Sequence, residues 1–215
     1  MEKKLQKHIG LLIQRYPQLE VCKHDIIEAY NMLENMYSNN RKLLVAGNGG
    51  SASDSEHIVG ELMKEFKMRR KIFKSQADTL NAIDPEFGEV LAANLQGALP
   101  AISLTGHSSL TTAFMNDSLP VLCIAQQVNG YGKSGDVFLG ISTSGNSKNI
   151  LYAAVCAKAK GLKIIGLTGM NENRLMQFAD VCIRVPETET YKVQELHLPV
   201  YHCLCMMLED HFFGE

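Results

Sequence analysis

The sequence predicts an α/β fold: a five-stranded parallel sheet covered by helices on both faces, three layers in all. Three observations predict it. Five short segments are β-branched or apolar on both parities, as strands buried on both faces must be. Helical patterns separate them, the alternation that produces parallel crossovers. Two Gly/Ser-rich turns follow two of these segments directly, at the carboxyl edge where ligands of such sheets bind.

Taken in order, residues 1–15 and 22–38 each carry a helical stripe. Leu5, Ile9, Leu12 and Ile13 form the first; Ile26, Ile27, Tyr30, Leu33 and Met36 form the second, and Pro17 breaks between them. An apolar stripe has to be covered, either by the chain's own sheet or by a helical layer shared with a partner subunit. The five strand segments are residues 42–47, 100–105, 136–142, 162–168 and 180–185, with a helix over 149–160 among the connections. Residues 67–98 interrupt the alternation. They read as two short helices around Asp84 and Pro85, the second running 86–95 with Pro85 in an early position. Residues 118–128 read as a helix with Ser118 as N-cap and Pro120 in the first turn. The longest helical pattern spans 190–213, and Pro199 inside it should kink the helix or mark a late start.

Composition excludes several classes. With 215 residues the chain is one domain or a tight pair, long enough for a substantial core. Lys plus Arg number 21 against 23 Asp plus Glu, a net charge of −2, which makes no case for nucleic acid or an anionic membrane as partner. No apolar run approaches the roughly 18 residues of a membrane span. The N-terminal apolar stretch is interrupted by Gln14 and Arg15, unlike a signal peptide. The 6 cysteines sit mostly in apolar segments without a framework of spacings, as reduced thiols of a cytoplasmic protein do.

The chemistry-bearing residues fall in three places. The first turn, Gly47, Asn48, Gly49, Gly50 and Ser51, lets backbone N–H groups approach a ligand and is followed by a helix whose positive end favours an anion. That helix carries His57 and Glu61 at i, i+4, one face. The second turn, Ser142, Thr143, Ser144, Gly145, Asn146 and Ser147, packs four hydroxyls and a glycine before another helix, with no Lys or Arg and no P-loop spacing. It suits a phosphate monoester better than a nucleoside triphosphate. The C-terminal helix adds His202, and its helical wheel puts Glu195, rather than Gln194, in line with it. Two His and a Glu with one further oxygen donor suit zinc.

The blocks GNGGSASDSEHIVGEL, GDVFLGISTSGNSKNIL and ETYKVQELHLPVYHCL resemble the signature blocks of the sedoheptulose 7-phosphate (phosphoheptose) isomerases, within the sugar isomerase (SIS) domain family. Only residues 67–98 stand outside that pattern. The resemblance implies a single SIS domain over 1–215 and a homotetramer with sites between subunits, residues 1–40 serving the oligomer. It implies phosphate contacts from Ser142, Thr143, Ser144 and Ser147, and a sugar pocket completed by Asn48, Gly49, Gly50, Ser51, Asn116, Asp117, His107 and Gln194. It implies one zinc ion per subunit on His57, Glu61, Gln194 and His202, so here the family nominates Gln194 where the wheel favours Glu195. The implied reaction converts sedoheptulose 7-phosphate to a D-glycero-D-manno-heptose 7-phosphate in the cytoplasm, for surface polysaccharide or lipopolysaccharide. Proton transfer between C1 and C2 passes through an enediol, with Glu61 as base, His202 as its acid/base partner and zinc polarising the oxygens.

One departure is His107, where many relatives carry an aspartate. Together with the excursion at 67–98 it leads to the expectation of a lid or wall over the pocket and an altered sugar phosphate. Two other readings stand beside the main one: an isomerase of a different sugar phosphate, and a non-catalytic SIS module binding a phosphosugar or a protein. The second has no use for His57, Glu61, Gln194 and His202 together.

Overall fold

The computed structural model describes the backbone of residues 3–214 and side chains from Gln6 onward. Met1, Glu2 and the side chain of Leu5, named in the first helical stripe, lie outside it. Five parallel strands form one sheet in the order β2-β1-β3-β4-β5. They are β1 Leu43–Ala46, β2 Ala101–Ser103, β3 Val137–Ile141, β4 Lys163–Gly169 and β5 Val181–Val185. Each lies within its expected segment except β4, which runs one residue further. The register sets Val45 opposite Ser103 on one side and Leu139 on the other.

Alternate strand residues feed two cores, the physical meaning of apolarity on both parities. Leu43, Val45, Leu139, Ile165 and Leu167 point into a core closed by α2 (Lys23–Ser38), α3 (Gly50–Met63) and α9 (Thr190–Phe213). Leu44, Ala46, Phe138 and Ile164 point into a second core closed by α7 (Cys123–Tyr131) and α8 (Lys148–Ala159). The three-layer expectation holds. α1 (Lys3–Arg15) buries Ile9 and Leu12 and packs on α9. The chain's own helices and sheet therefore cover much of both N-terminal stripes.

Three local readings are corrected. Ser118 does not cap a following helix. It is the extended residue that ends α6 (Ser108–Asp117), a helix the periodicity did not reveal. Pro120 opens a short 3₁₀ turn and the expected helix begins only at Cys123. Pro199 does not mark a late start: α9 runs from Thr190 through the buried Pro199, because packing on the core shared with α2 and α3 outweighs the one backbone hydrogen bond a proline removes.

The excursion forms α4 (Lys74–Ile83) and α5 (Pro85–Asn94), with Asp84 accepting a hydrogen bond from the Phe87 N–H at 2.9 Å as N-cap of α5. The two helices pack mainly on each other, and Phe73, Ile83, Phe87 and Val90 remain exposed. An antiparallel bridge between Lys71 and Gln96 closes the base of this hairpin. It departs from the far end of α3, whose 14 residues span about 21 Å at 1.5 Å per residue. The hairpin thus emerges near the amino edge of the sheet, away from the two ligand turns. No side chain of α4 or α5 lines the cavities beside His202 or Ser144. The lid expectation does not match this placement, because the direction of α3 carries the chain away from the turns before the hairpin begins.

Candidate active site

The first turn is shaped by close approaches that only glycine permits. Gly49 has φ +55°, a conformation costly for residues with a Cβ. A Cβ on Gly50 would stand 2.6 Å from Gln194 Nε2, so α9 lies directly against the start of α3. Asn48 exchanges two side-chain hydrogen bonds with Asn149 at 3.0 and 2.7 Å. That pair ties the first turn to the helix behind the second. Ser51 is buried and its N–H donates to the Asn48 carbonyl at 3.0 Å.

The second turn is held from beneath by the segment after β4. Gly169 N–H donates to the Thr143 carbonyl and Leu175 N–H to the Gly145 carbonyl, both at 3.0 Å. Arg174 N–H donates to Asn146 Oδ1 at 3.0 Å. Gly145 has φ +64°, and a Cβ there would collide with Asn173. Ser147 is the N-cap residue of α8 but makes no capping bond with its side chain. Its Oγ lies 3.0 Å from Ser142 Oγ instead, a pair of hydroxyls at a helix N-terminus. Thr143 and Ser144 face a depression of about 250 Å³ whose opposite wall carries Glu172 and Glu187.

Further along α3 and α9 the acid/base groups meet. His57 Nε2 is 3.0 Å from Glu61 Oε1, and the His57 and His202 ring centroids are 5.0 Å apart. The Glu61 side chain is only 14% exposed while His57 is 43% exposed, so the cluster opens through His57. Burial, then the neighbouring His57, lowers the His202 pKa, which keeps its imidazole neutral at pH 7. His202 also borders a cavity of about 580 Å³ between α1 and α9, whose wall carries Lys7, Arg15 and Lys67 and no carboxylate.

A zinc ion is implied by the family resemblance. Glu61 Oε2 and His202 Nε2 are both buried without a hydrogen-bond partner, which is the condition of donors that expect another group. Imidazole nitrogen, carboxylate and amide oxygen are fitting ligands for zinc. Among the described residues, however, no three His, Cys, Asp or Glu side chains stand close enough to hold an ion as they are. The donor types of His57, Glu61 and His202 fit, whereas Gln194 stands against Gly50 at the start of α3 and is not gathered with them.

The remaining expected residues divide. Gln194 is half-buried against Gly50 whereas Glu195 is exposed, so the contact between helices favours the family's choice over the wheel's. His107 lies within hydrogen-bond distance of Gln127 Oε1 at 2.7 Å from its Nδ1, and Gln127 in turn donates to the Leu104 carbonyl at 2.8 Å. Within one chain that is an anchoring role. Asn116 and Asp117 are exposed at the end of α6 and bond to each other at 2.8 Å, apart from the His57 cluster. Sequence reasoning missed Asp54 and Tyr201. Asp54 shares the His57 face of α3 at i, i+3, a signal that was available; Tyr201 meets both through the packing of α9 on α3. It also missed Arg70, which donates to the Glu61 and Leu62 carbonyls at 2.8 Å and closes the end of α3.

Comparison with known proteins identifies the family and the fold. Residues 86–169 match the family model described as SIS domain. A phosphoheptose isomerase of Aneurinibacillus thermoaerophilus is 36% identical over 178 residues, 83% of this chain and 77% of its own. Phosphoheptose isomerase 2 of Campylobacter jejuni is 38% identical over 179 residues, 83% of this chain and 76% of its own. The structure of a phosphoheptose isomerase from Francisella tularensis superposes with a TM-score of 0.72 at 28% identity, covering 98% of this chain and 100% of that one. With relatives of this similarity over most of its length, two Gly/Ser-rich turns at the carboxyl edge of the sheet and a His/Glu cluster on facing helices, the chain belongs to the phosphoheptose isomerase family of SIS-domain proteins.

Proposed function

We infer that this protein is an aldose–ketose isomerase that interconverts sedoheptulose 7-phosphate and a D-glycero-D-manno-heptose 7-phosphate. The observation that carries the reading is the spacing of its two half-sites along one helix. Gln194 of α9 lies at the first turn, and His202 is eight residues on, about 12 Å along the axis. A phosphate held by Ser142, Thr143, Ser144 and Ser147 would leave the far end of an extended seven-carbon sugar near His57, Glu61 and His202. The phosphate supplies binding energy that orients the reacting carbons. Glu61, shielded from water, takes the proton from one of C1 and C2 and returns it to the other. His202, neutral at pH 7, exchanges the oxygen-bound proton on the opposite side. Asn48, Ser51 and Gln194 line the sugar between these ends, with the Gly49 and Gly50 backbone open to it.

Zinc held by His57, Glu61 and His202 would supply a Lewis acid for the sugar oxygens, and Gln194 would join them only by leaving its contact with Gly50. We place the enzyme in the cytoplasm, as a homotetramer, feeding heptose to a surface polysaccharide; Asn116, Asp117 and His107, remote from the cluster in one chain, would then contribute at subunit boundaries. The test is incubation with sedoheptulose 7-phosphate followed by NMR, with and without a chelator. Turnover that the chelator abolishes and zinc restores is expected, together with a loss of about 10²–10⁴ in kcat for Glu61→Gln. Absence of turnover in zinc-loaded protein overturns the reading.

A further inference from the structure

His57 is oriented by the buried Tyr201 and, through it, the half-buried Asp54, two residues to which the proposed reaction gives no role. Tyr201 is 1% exposed and its ring stands edge-on to His57, with centroids 5.5 Å apart. Its hydroxyl is 3.0 Å from His57 Nδ1 and 3.2 Å from Asp54 Oδ1. A phenol has one proton, and an ionised carboxylate only accepts. With the Tyr201 proton given to Asp54, the hydroxyl can only accept from His57, so Nδ1 carries the hydrogen. Nε2 then presents its lone pair at 3.0 Å from Glu61 Oε1. Two lone pairs at that distance repel unless a cation or a proton comes between them. Nearby, Glu61 Oε2 and His202 Nε2 are buried and unpartnered.

We propose that Tyr201 and Asp54 are positioning residues that hold His57 in its Nδ1–H tautomer and so aim the Nε2 lone pair at the space shared with Glu61 and His202. The inference rests on the reading of His57 as a metal ligand for its purpose, but the tautomer is a property of the chain alone. The reason is general: an imidazole ligates through one nitrogen only when a partner holds the hydrogen on the other. Asp54 and His57 share a face of α3, and Tyr201 precedes His202 on α9, so the same helix contact that brings His202 in also delivers the orienting hydroxyl.

The test uses the full chain with ¹⁵N-labelled histidine, free of metal, at a pH where His57 is neutral. The His57 Nδ1 resonance should be that of a protonated ring nitrogen and Nε2 that of a bare one. Tyr201→Phe keeps the ring packing and removes the acceptor; both tautomers should then appear, and zinc affinity, read by chelator competition, should fall about 10- to 100-fold. Binding of inorganic phosphate should be unchanged, since the Ser142–Ser147 turn is not touched. Asp54→Ala, which removes the acceptor of the Tyr201 proton, gives a second disruption should the tyrosine variant misfold. A wild-type His57 protonated at Nε2 overturns the proposal, as does a folded Tyr201→Phe protein with the same tautomer as wild type. Failure of the wild type to bind zinc would remove the metal from the proposed function, and the nitrogen resonances alone would then decide the tautomer.

Discussion

Arg70 and Glu209, 139 positions apart, form an ion pair with side chains 0% and 1% exposed and Nε to Oε1 at 2.8 Å. Glu209 also accepts from the Phe66 and Lys67 N–H groups at 2.8 Å, and the guanidinium stacks over Phe213 at 4.9 Å. Every polar atom of the pair is thus used, the condition under which a buried charge pair is tolerated. Arg70→Met leaves Glu209 buried and unpaired, and should cost about 3–5 kcal/mol of stability. Arg70→Met combined with Glu209→Met should recover part of that loss. Urea denaturation of the three proteins checks both statements.

The contact between Gln194 and Gly50 separates two neighbours on α9. Gln194→Ala should reduce kcat/KM for the phosphosugar strongly, and Glu195→Ala should leave it near wild type. Gly50→Ala places a methyl 2.6 Å from Gln194 Nε2 and must push that side chain aside. Misplacement of this size is expected to cost about 10- to 100-fold in rate. Steady-state kinetics on the three variants decides between the helical wheel and the observed packing.

Ser142 and Ser147 face each other at the N-terminus of α8. Each hydroxyl is expected to donate to the phosphate dianion. Hydrogen bonds to charged groups contribute about 1.5–3 kcal/mol, so Ser142→Ala or Ser147→Ala should raise KM roughly 10- to 100-fold. Inorganic phosphate should lose its competitive inhibition in the same variants. An unchanged inhibition constant would move the phosphate elsewhere.

His197 supplies a stability prediction. It is fully buried on α9, and burial pushes its pKa from 6.5 down to about 4 against the smaller opposing effect of a hydrogen bond with the Thr168 backbone. Between these values the unfolded chain binds a proton that the folded chain refuses. The stability it allows is complete above about pH 6.5 and declines as pH falls toward about 4, by on the order of 3 kcal/mol. His197→Gln should flatten that slope relative to wild type in thermal melts across the window.

The strands, the two Gly/Ser-rich turns and the residue types of the candidate site are legible in the chain's primary structure. Those features are local: apolarity on both parities marks a strand buried on two faces, and hydroxyls and glycines before a helix mark an anion site. The helix over 108–117 was missed because it buries none of its residues and so shows no stripe to read. The tertiary structure alone decided how α9 is rotated against α3. That rotation turns Gln194 toward Gly50 and Glu195 toward solvent, brings Tyr201 to His57 and leaves His202 at its side. It also decided that the hairpin of α4 and α5 departs from the amino edge of the sheet, since the length and direction of α3 carry it there. Periodicity fixes which residues share a face, but the partner of that face is set by packing between elements far apart in the chain.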